Sequence, residues 1–148
     1  GFQTWLVGFL VMHMALGLSL AVVFQLAHVI EETEFEFCGD DDMVIENEWA
    51  IHQIKTTANF APGHWFITWF VGGLNYQVEH HLFPRISHIH YPVISKIVEA
   101  KCQEFNLQYN SIPTMGKAIA SHYRHMRTLG VNPPAITASY NATSGKAA

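Results

Sequence analysis

Two adjacent histidines lie in the short stretch GGLNYQVEHHLFP near the middle of the chain. His80 and His81 follow Gln77 by about one helical turn. If the stretch is helical, these three side chains lie within about 100° of one another on one face, and Glu79 points elsewhere. Neutral imidazole is a common ligand of iron, copper, nickel and zinc. The pattern therefore predicts either a metal site or a solvated polar surface.

A second pair of polar residues lies near the end of a long apolar segment. Gln25 and His28 are three positions apart, so in a helix they share one face. Polar side chains in such a segment are costly unless they have partners. Hydrogen bonds to a neighbouring helix would satisfy them, and so would a metal centre shared with Gln77, His80 and His81. A shared centre requires the ligand side chains to lie within about 6 to 10 Å of each other.

Other histidines show patterns that are less specific for a metal. His88 and His90 alternate just before Pro92, which favours a surface turn over ligation. His52 precedes the polar run QIKTTANF. The polar side chains of that run could line a substrate or partner site, or they could form an ordinary polar loop.

The segment that contains His28 has the composition of a transmembrane helix. Residues 1–30 include no Asp, Glu, Lys or Arg, and as a helix they would extend about 45 Å, enough to cross a bilayer. The segment has neither a basic start nor a small-residue cleavage site, so it does not resemble a secretory signal. Because the chain begins with Gly1 rather than Met, we expect it to be part of a longer protein.

The remaining sequence predicts further helices. The acidic segment 31–48 is predicted to be a solvated loop, and the aromatic run WFITWF is typical of a short helix at a membrane interface. Helices are predicted to begin at Pro92 and to span residues 113–130. The predicted fold class is all-α, with a membrane-embedded helix followed by interfacial and cytosolic helices. Its divisions are a transmembrane helix (1–30), a cytosolic and interfacial part (31–130) and a disordered tail (131–148).

Composition narrows the classes of function. The chain has 148 residues, of which 14% are charged, and a net charge of -4, so it offers no basic surface for nucleic acid. Its two cysteines, Cys38 and Cys102, are too few and too far apart in sequence for a disulfide framework. Scarce cysteine fits a reducing compartment and argues against a structural zinc site.

The run GGLNYQVEHHLFP resembles the third histidine box of membrane fatty acid desaturases. It has the variant, typical of front-end desaturases, in which Gln replaces the first His. The runs LAHVIEETEF, EWAIHQIKTTANF and SHIHYPVISKIV are similar to the linoleoyl-CoA-desaturase-like branch of that family. The resemblance covers about residues 15–130 and implies that the chain is a C-terminal part of a desaturase helix bundle.

This resemblance also implies a cofactor and its ligands. Two iron ions would lie on the cytosolic side of an integral, multi-pass membrane bundle, held by three histidine boxes and one further histidine. On that pattern His80 and His81 are iron ligands, Gln77 takes the place of a third-box histidine, His28 is the further histidine, and Gln25 holds an iron-bound water. No catalytic residue separate from these ligands is implied. The first two boxes, of the HxxxH and HxxHH kind, are absent from the chain, so we expect the chain alone to be inactive.

The implied activity is insertion of a cis double bond into a fatty acyl chain, on the carboxyl side of an existing one, with dioxygen and two electrons. The substrate would be an acyl-CoA or an acyl-lipid, and the electron donor a ferredoxin or a b-type cytochrome. Removing hydrogen from an unactivated methylene requires a redox cofactor. The alternatives are a related di-iron hydroxylase, a purely structural membrane segment, and a haem electron carrier in which His28 and one of His80 or His81 ligate haem.

Overall fold

The computed structural model describes residues 1–34 and 49–131, which form helices, two short strands and one 3-10 turn. The strands are β1 (Asn59–Phe60) and β2 (Ser111–Ile112), and the 3-10 turn spans His88–His90. The predominance of helix confirms the predicted all-α class. The helices are α1 (Phe2–His28), α2 (Trp49–Thr56), α3 (Trp65–Phe70), α4 (Gln77–Leu82), α5 (Tyr91–Glu104) and α6 (Met115–Val131).

The first helix, α1, is long and apolar enough to cross a membrane, and no other helix in the described ranges 1–34 and 49–131 meets that test. Only 6% of its most apolar 18-residue stretch is buried, whereas the core helix of a soluble protein would be mostly buried. Its buried residues, Val23, Leu26 and Ala27, all lie in the last two turns. This helix is therefore a candidate membrane span that is anchored to the rest of the chain at one end.

The anchored end of α1 packs into the main apolar core. Leu26 and Ile30 lie there with Phe60 of β1 and Ala118 of α6, all of them fully or almost fully buried. The backbone N–H of Ala58 also donates a hydrogen bond of 2.9 Å to the carbonyl of Ala27. The segment that follows α2 is thus bound directly to the membrane-helix end.

The two strands join distant parts of the chain. They are parallel, with Asn59 opposite Ser111 and Phe60 opposite Ile112. The N–H of Phe60 donates to the carbonyl of Asn75, just before α4, at 3.0 Å. This pairing holds the lead-in to α4 close to the end of α1.

A second apolar cluster joins α2, α4 and α5. It consists of Ile54, Val78, Val98 and Cys102, all buried. Cys102 is a free thiol in this cluster. Because Ile54 and Val78 belong to α2 and α4, the cluster fixes these two helices side by side.

The glycine pair before α4 makes the turn that directs this helix. Gly73 has a φ of +79°, and a Cβ built on it would lie 2.5 Å from the Cβ of His88. Gly72 also has a positive φ, of +61°, but open space surrounds it. At residue 73 both the backbone conformation and the close approach of His88 require glycine.

The structure refines several helix boundaries. Pro92 lies in the first turn of α5, as predicted, whereas α6 begins at Met115 rather than at 113 and ends at Val131 rather than at 130. The helix α2 forms from the run WAIHQIKT, whose weak periodicity does not predict a helix. Most of the predicted acidic loop, including Cys38, and residues 132–148 of the predicted tail lie outside the described residues.

Candidate metal centre

The end of α1 meets α4 at a cluster of imidazole rings. The ring centroids of His28 and His81 are 5.0 Å apart, with 67° between the ring planes. The ring of His80 lies 5.9 Å from that of His81. Residues that are far apart in the sequence therefore form one group, and the spacing expected for ligands of a shared centre is met for His28 and His81.

Each of the three rings makes a hydrogen bond through Nδ1. His81 Nδ1 lies 2.7 Å from Oε1 of Gln53, and His28 Nδ1 lies 3.3 Å from the carbonyl oxygen of Thr56. His80 Nδ1 is hydrogen-bonded to the hydroxyl of Tyr91 at 3.3 Å. These bonds engage Nδ1 of each imidazole, so a metal held by these rings would bind through Nε2.

The His81 ring is held in its neutral form. Burial and, to a smaller extent, the neighbouring His28 and His80 lower the pKa of His81 from 6.5 to about 4. A neutral imidazole keeps a lone pair on one ring nitrogen. At neutral pH His81 thus has the protonation state that a metal ligand requires.

The two glutamines predicted at the site lie in different environments. Gln77 is 1% exposed, and its Oε1 has no hydrogen-bond partner among the residues that the structure describes. A buried amide oxygen without a partner is rare and is commonly explained by a bound water or ion. Gln25 is exposed on α1, so the two amides that looked alike in sequence differ in burial.

The residues present fit iron as the bound group, but as an incomplete set. Three imidazoles whose Nδ1 atoms are hydrogen-bonded and one buried amide oxygen are donors of the kind that iron accepts. The thiol of Cys102 belongs to the apolar cluster of α2, α4 and α5, where burial raises its pKa. Within residues 1–34 and 49–131 no group of three or more His, Cys, Asp or Glu residues is arranged so that it could hold a metal ion by itself. A di-iron centre would therefore need further ligands from outside the described residues.

A buried carboxylate lies beside the histidines, although the spacing of residues in α4 predicts only that it points away from them. Glu79 is 0% exposed, and its carboxylate accepts hydrogen bonds from Asn59 Nδ2 and from the Tyr109 hydroxyl, each at 2.8 Å. Asn59 also accepts a 3.0 Å hydrogen bond from the N–H of Val78. Burial raises the pKa of Glu79, and the hydrogen bonds from Tyr109 and Asn59 oppose that rise. This network fixes α4 against β1 and the segment before β2.

Sequence reasoning assigned no specific role to Gln53, Thr56, Asn59, Tyr91 or Tyr109. A partial signal is the run QIKTTANF, whose polar side chains are candidates for lining a substrate or partner site. Within that run, Gln53 and Thr56 are three residues apart and so share one helical face. The two tyrosines had no local pattern that connected them to the histidines.

Comparison with known proteins identifies the family. The family model described as fatty acid desaturase matches residues 1–113. This chain belongs to the fatty acid desaturase family. The resemblance seen in the sequence is thereby confirmed, and the family is a membrane-bound one.

Several relatives of this desaturase-family chain are similar over most of its length. It is 50% identical over 125 residues to the sn-1 linoleoyl-lipid 6-desaturase of Synechocystis sp., and the matched region covers 84% of this chain and 35% of that protein. It is 47% identical over 127 residues to the protein of the same name from Arthrospira platensis, covering 86% of this chain and 34% of that protein. An acyl-lipid (8-3)-desaturase of Physcomitrium patens is 38% identical over 128 residues, covering 86% of this chain and 26% of that protein.

These relatives are much longer than the present desaturase-family chain, which spans about a third of their length or less. Their names agree with the front-end branch that the third-box variant indicated. No solved structure matches the chain.

Proposed function

We propose that this chain is the C-terminal part of a di-iron acyl desaturase that inserts a cis double bond on the carboxyl side of an existing one. The observation that supports this most is the 5.0 Å approach of the His28 and His81 rings. In a chain of the fatty acid desaturase family, this approach joins the third-box histidines to a histidine at the end of a candidate membrane span.

We assign His28, His80 and His81 as iron ligands through Nε2, since Nδ1 of each ring is engaged elsewhere. Gln77 adds a buried amide oxygen at the place of a third-box histidine. Gln25, which is exposed, would hold an iron-bound water at the edge of the site. When bound, the two irons supply the redox chemistry that removes hydrogen from an unactivated methylene with dioxygen and two electrons.

The residues of this chain orient the ligands and partly bury them. Burial around His81 keeps its ring neutral, as its lowered pKa indicates. The Glu79 network fixes α4, whose two histidines contact His28 at the end of α1 and Tyr91 of α5. The remaining donors, including the first two histidine boxes, would come from the rest of the protein.

We propose that this centre lies at one membrane surface, at the end of the candidate membrane span α1, and that this surface is the cytosolic one in a multi-pass protein. The exposed aromatic residues of α3 support an interfacial position for that helix. Trp65 is 76% exposed and Trp69 is 71% exposed, and tryptophan is enriched where a membrane meets water.

We propose an acyl-lipid as the substrate class, because several relatives have names that specify lipid-linked acyl chains. An acyl-CoA is the alternative carrier. The two electrons would come from a small redox protein such as a ferredoxin or a b-type cytochrome.

The geometry favours a di-iron centre over a haem held between His28 and His81. The His28 and His81 rings are in direct edge-to-face contact at 5.0 Å, and a macrocycle between two axial imidazoles would have to separate them. A di-iron hydroxylase would use the same ligands, so only the product distinguishes it from a desaturase.

The test is to produce the full-length protein in a host that lacks polyunsaturated lipids, to supply linoleate, and to analyse the lipids by mass spectrometry. We expect an acyl chain two hydrogens lighter, with the new double bond nearer the carboxyl group. A hydroxylated chain instead would favour the hydroxylase. Unchanged lipids from a protein that is inserted in the membrane and loaded with iron would contradict both enzymes.

We also predict that the 148-residue chain, produced alone, is inactive and holds iron weakly. It provides three imidazoles for two ions that need about four or more ligands each. Iron analysis of the purified chain measures this, and two tightly held irons per chain would contradict it.

A further inference from the structure

The helix α2 touches two of the three candidate iron ligands. Oε1 of Gln53 lies 2.7 Å from His81 Nδ1, and the carbonyl oxygen of Thr56 lies 3.3 Å from His28 Nδ1. Gln53 and Thr56 are three residues apart on α2, so they lie on the same face of that helix. One short helix therefore contacts a ligand from α1 and a ligand from α4.

The direction of both hydrogen bonds is fixed by chemistry. A carbonyl oxygen only accepts, so each imidazole must donate a proton from Nδ1. A neutral imidazole has a single ring proton, which leaves the lone pair on Nε2. The partners on α2 thus select the same tautomer, and the same metal-binding nitrogen, in His28 and His81.

The carbonyl of Thr56 is available because it lies at the end of α2. The last carbonyls of a helix have no partner within the helix. Here the carbonyl of Ile54 accepts from Asn110 Nδ2 at 3.3 Å, and that of Lys55 accepts from the N–H of Glu34 at 3.0 Å. The imidazole of His28 satisfies the carbonyl of Thr56, so this contact completes the end of the helix as well as orienting the ring.

We propose that α2 is the positioning element of the iron centre, with Gln53 as the residue that orients His81 and fixes its Nδ1–H tautomer. This inference rests on the proposed function, because it assigns Gln53 a role toward the iron. In metal sites the group that accepts the remote ring N–H raises the basicity of the ligand, and its loss costs about 10 to 100-fold in metal affinity. Gln53 is not a ligand and acts through His81.

The test compares substitutions of Gln53 in the full-length, iron-loaded protein. Gln53→Met has a similar length but no strong acceptor, Gln53→Asn keeps an amide that is one methylene shorter, and Gln53→Glu keeps an acceptor at the same reach. We expect Gln53→Met and Gln53→Asn to weaken iron binding by about 10 to 100-fold, measured by titration with a competing chelator. Gln53→Glu should bind iron at least as tightly as wild type. Gln103→Met, on an exposed position of α5, is the matched control and should leave iron affinity unchanged.

A second measurement separates positioning from simple packing. The thermal midpoint of each variant is recorded with and without iron. If Gln53 orients a ligand, Gln53→Met lowers the midpoint of the iron-loaded protein more than that of the iron-free protein, because a ligand stabilises the folded state according to its affinity. If the residue only packs, both midpoints fall equally.

Equal chelator titrations for Gln53→Met, Gln53→Asn and wild type would overturn the inference, as would equal shifts of the two thermal midpoints. If Gln53→Met does not fold, a wild-type affinity in Gln53→Asn alone would overturn it. A wild-type protein that binds no iron would instead contradict the proposed function, so the two failures are distinguishable.

Discussion

Two pairs of histidines lie close together in the sequence but in different environments. His80 and His81 are partly buried, and their rings reach Tyr91 and Gln53 on other helices. His88 and His90 are exposed on the 3-10 turn. The histidine density alone therefore does not separate the two pairs, whereas their burial and their contacts with other helices do.

Packing explains why the two pairs differ. The helix α4 lies between α2 and α5, where Val78 belongs to a buried apolar cluster, so the side chains of its second turn meet neighbouring helices. The 3-10 turn contributes no buried residue. Its role is to connect α4 with α5, and the close contact between His88 and Gly73 fixes its position.

The largest expected effect comes from removing a ring of the buried pair. In the full-length protein, His80→Ala or His81→Ala should abolish desaturation and reduce iron content, because each removes a proposed ligand. Lipid analysis and iron analysis of the same membrane preparation measure both effects.

The exposed pair supplies the matched controls for that experiment. His88→Ala and His90→Ala should retain activity within about twofold, since exposed substitutions usually change free energies by less than about 0.5 kcal/mol. His88→Ala also keeps the Cβ that contacts Gly73. Loss of activity in both pairs alike would remove the distinction between them, and an active His81→Ala variant would contradict the ligand assignment.

A smaller effect is expected at Gly73, which precedes the helix of the buried pair and lies against His88 of the exposed pair. Gly73→Ala combines a positive φ with a Cβ placed 2.5 Å from that of His88, so it should destabilise the fold by about 2 to 4 kcal/mol. Gly72→Ala meets the strain of a positive φ but no neighbour, and should cost about 1 to 2 kcal/mol. Thermal unfolding in detergent ranks the two variants, and equal losses would show that the contact with His88 contributes nothing.

The smallest effect concerns Glu79, the buried carboxylate of α4. Tyr109→Phe removes one of the two side-chain donors to Glu79 and should lower stability by about 1 to 3 kcal/mol. The same substitution at Tyr123, which is 66% exposed, should change stability by less than about 0.5 kcal/mol. If unfolding measurements gave the same result for both tyrosines, the Glu79 network would not fix α4.

Local patterns in the sequence predicted the elements whose formation depends on neighbouring residues. A run of 30 residues without a charged side chain predicted the long apolar helix, because a bilayer sets both length and composition. Pro92 predicted the start of α5, because proline fits the first helical turn. The spacing of Gln77, His80 and His81 predicted the helical face on which they lie.

Local patterns were insufficient where a residue's partner is far away in the chain. Gln25 and Gln77 each precede a histidine by three residues, yet Gln25 is exposed and Gln77 is buried. Glu79 was expected only to point away from the histidines, whereas the fold buries it against Asn59 and Tyr109. Burial depends on which segments pack together, and no periodicity within one helix contains that information.

The sequence by itself thus determined the membrane-compatible helix, the histidine-containing helix and, through the family motif, the kind of metal to expect. A site shared by His28 and His81 was one of two interpretations of the sequence, and the tertiary structure decided between them by bringing the two rings side by side. Only the tertiary structure showed that Gln53 and Thr56 of α2 lie against Nδ1 of these rings. The physical reason is that these contacts depend on the parallel pairing of β1 with β2 and on the packing of the α1 end against Phe60 and Ala118. Such long-range contacts arise from the burial of apolar surface by the whole chain, so the spacing of residues within any one segment does not specify them.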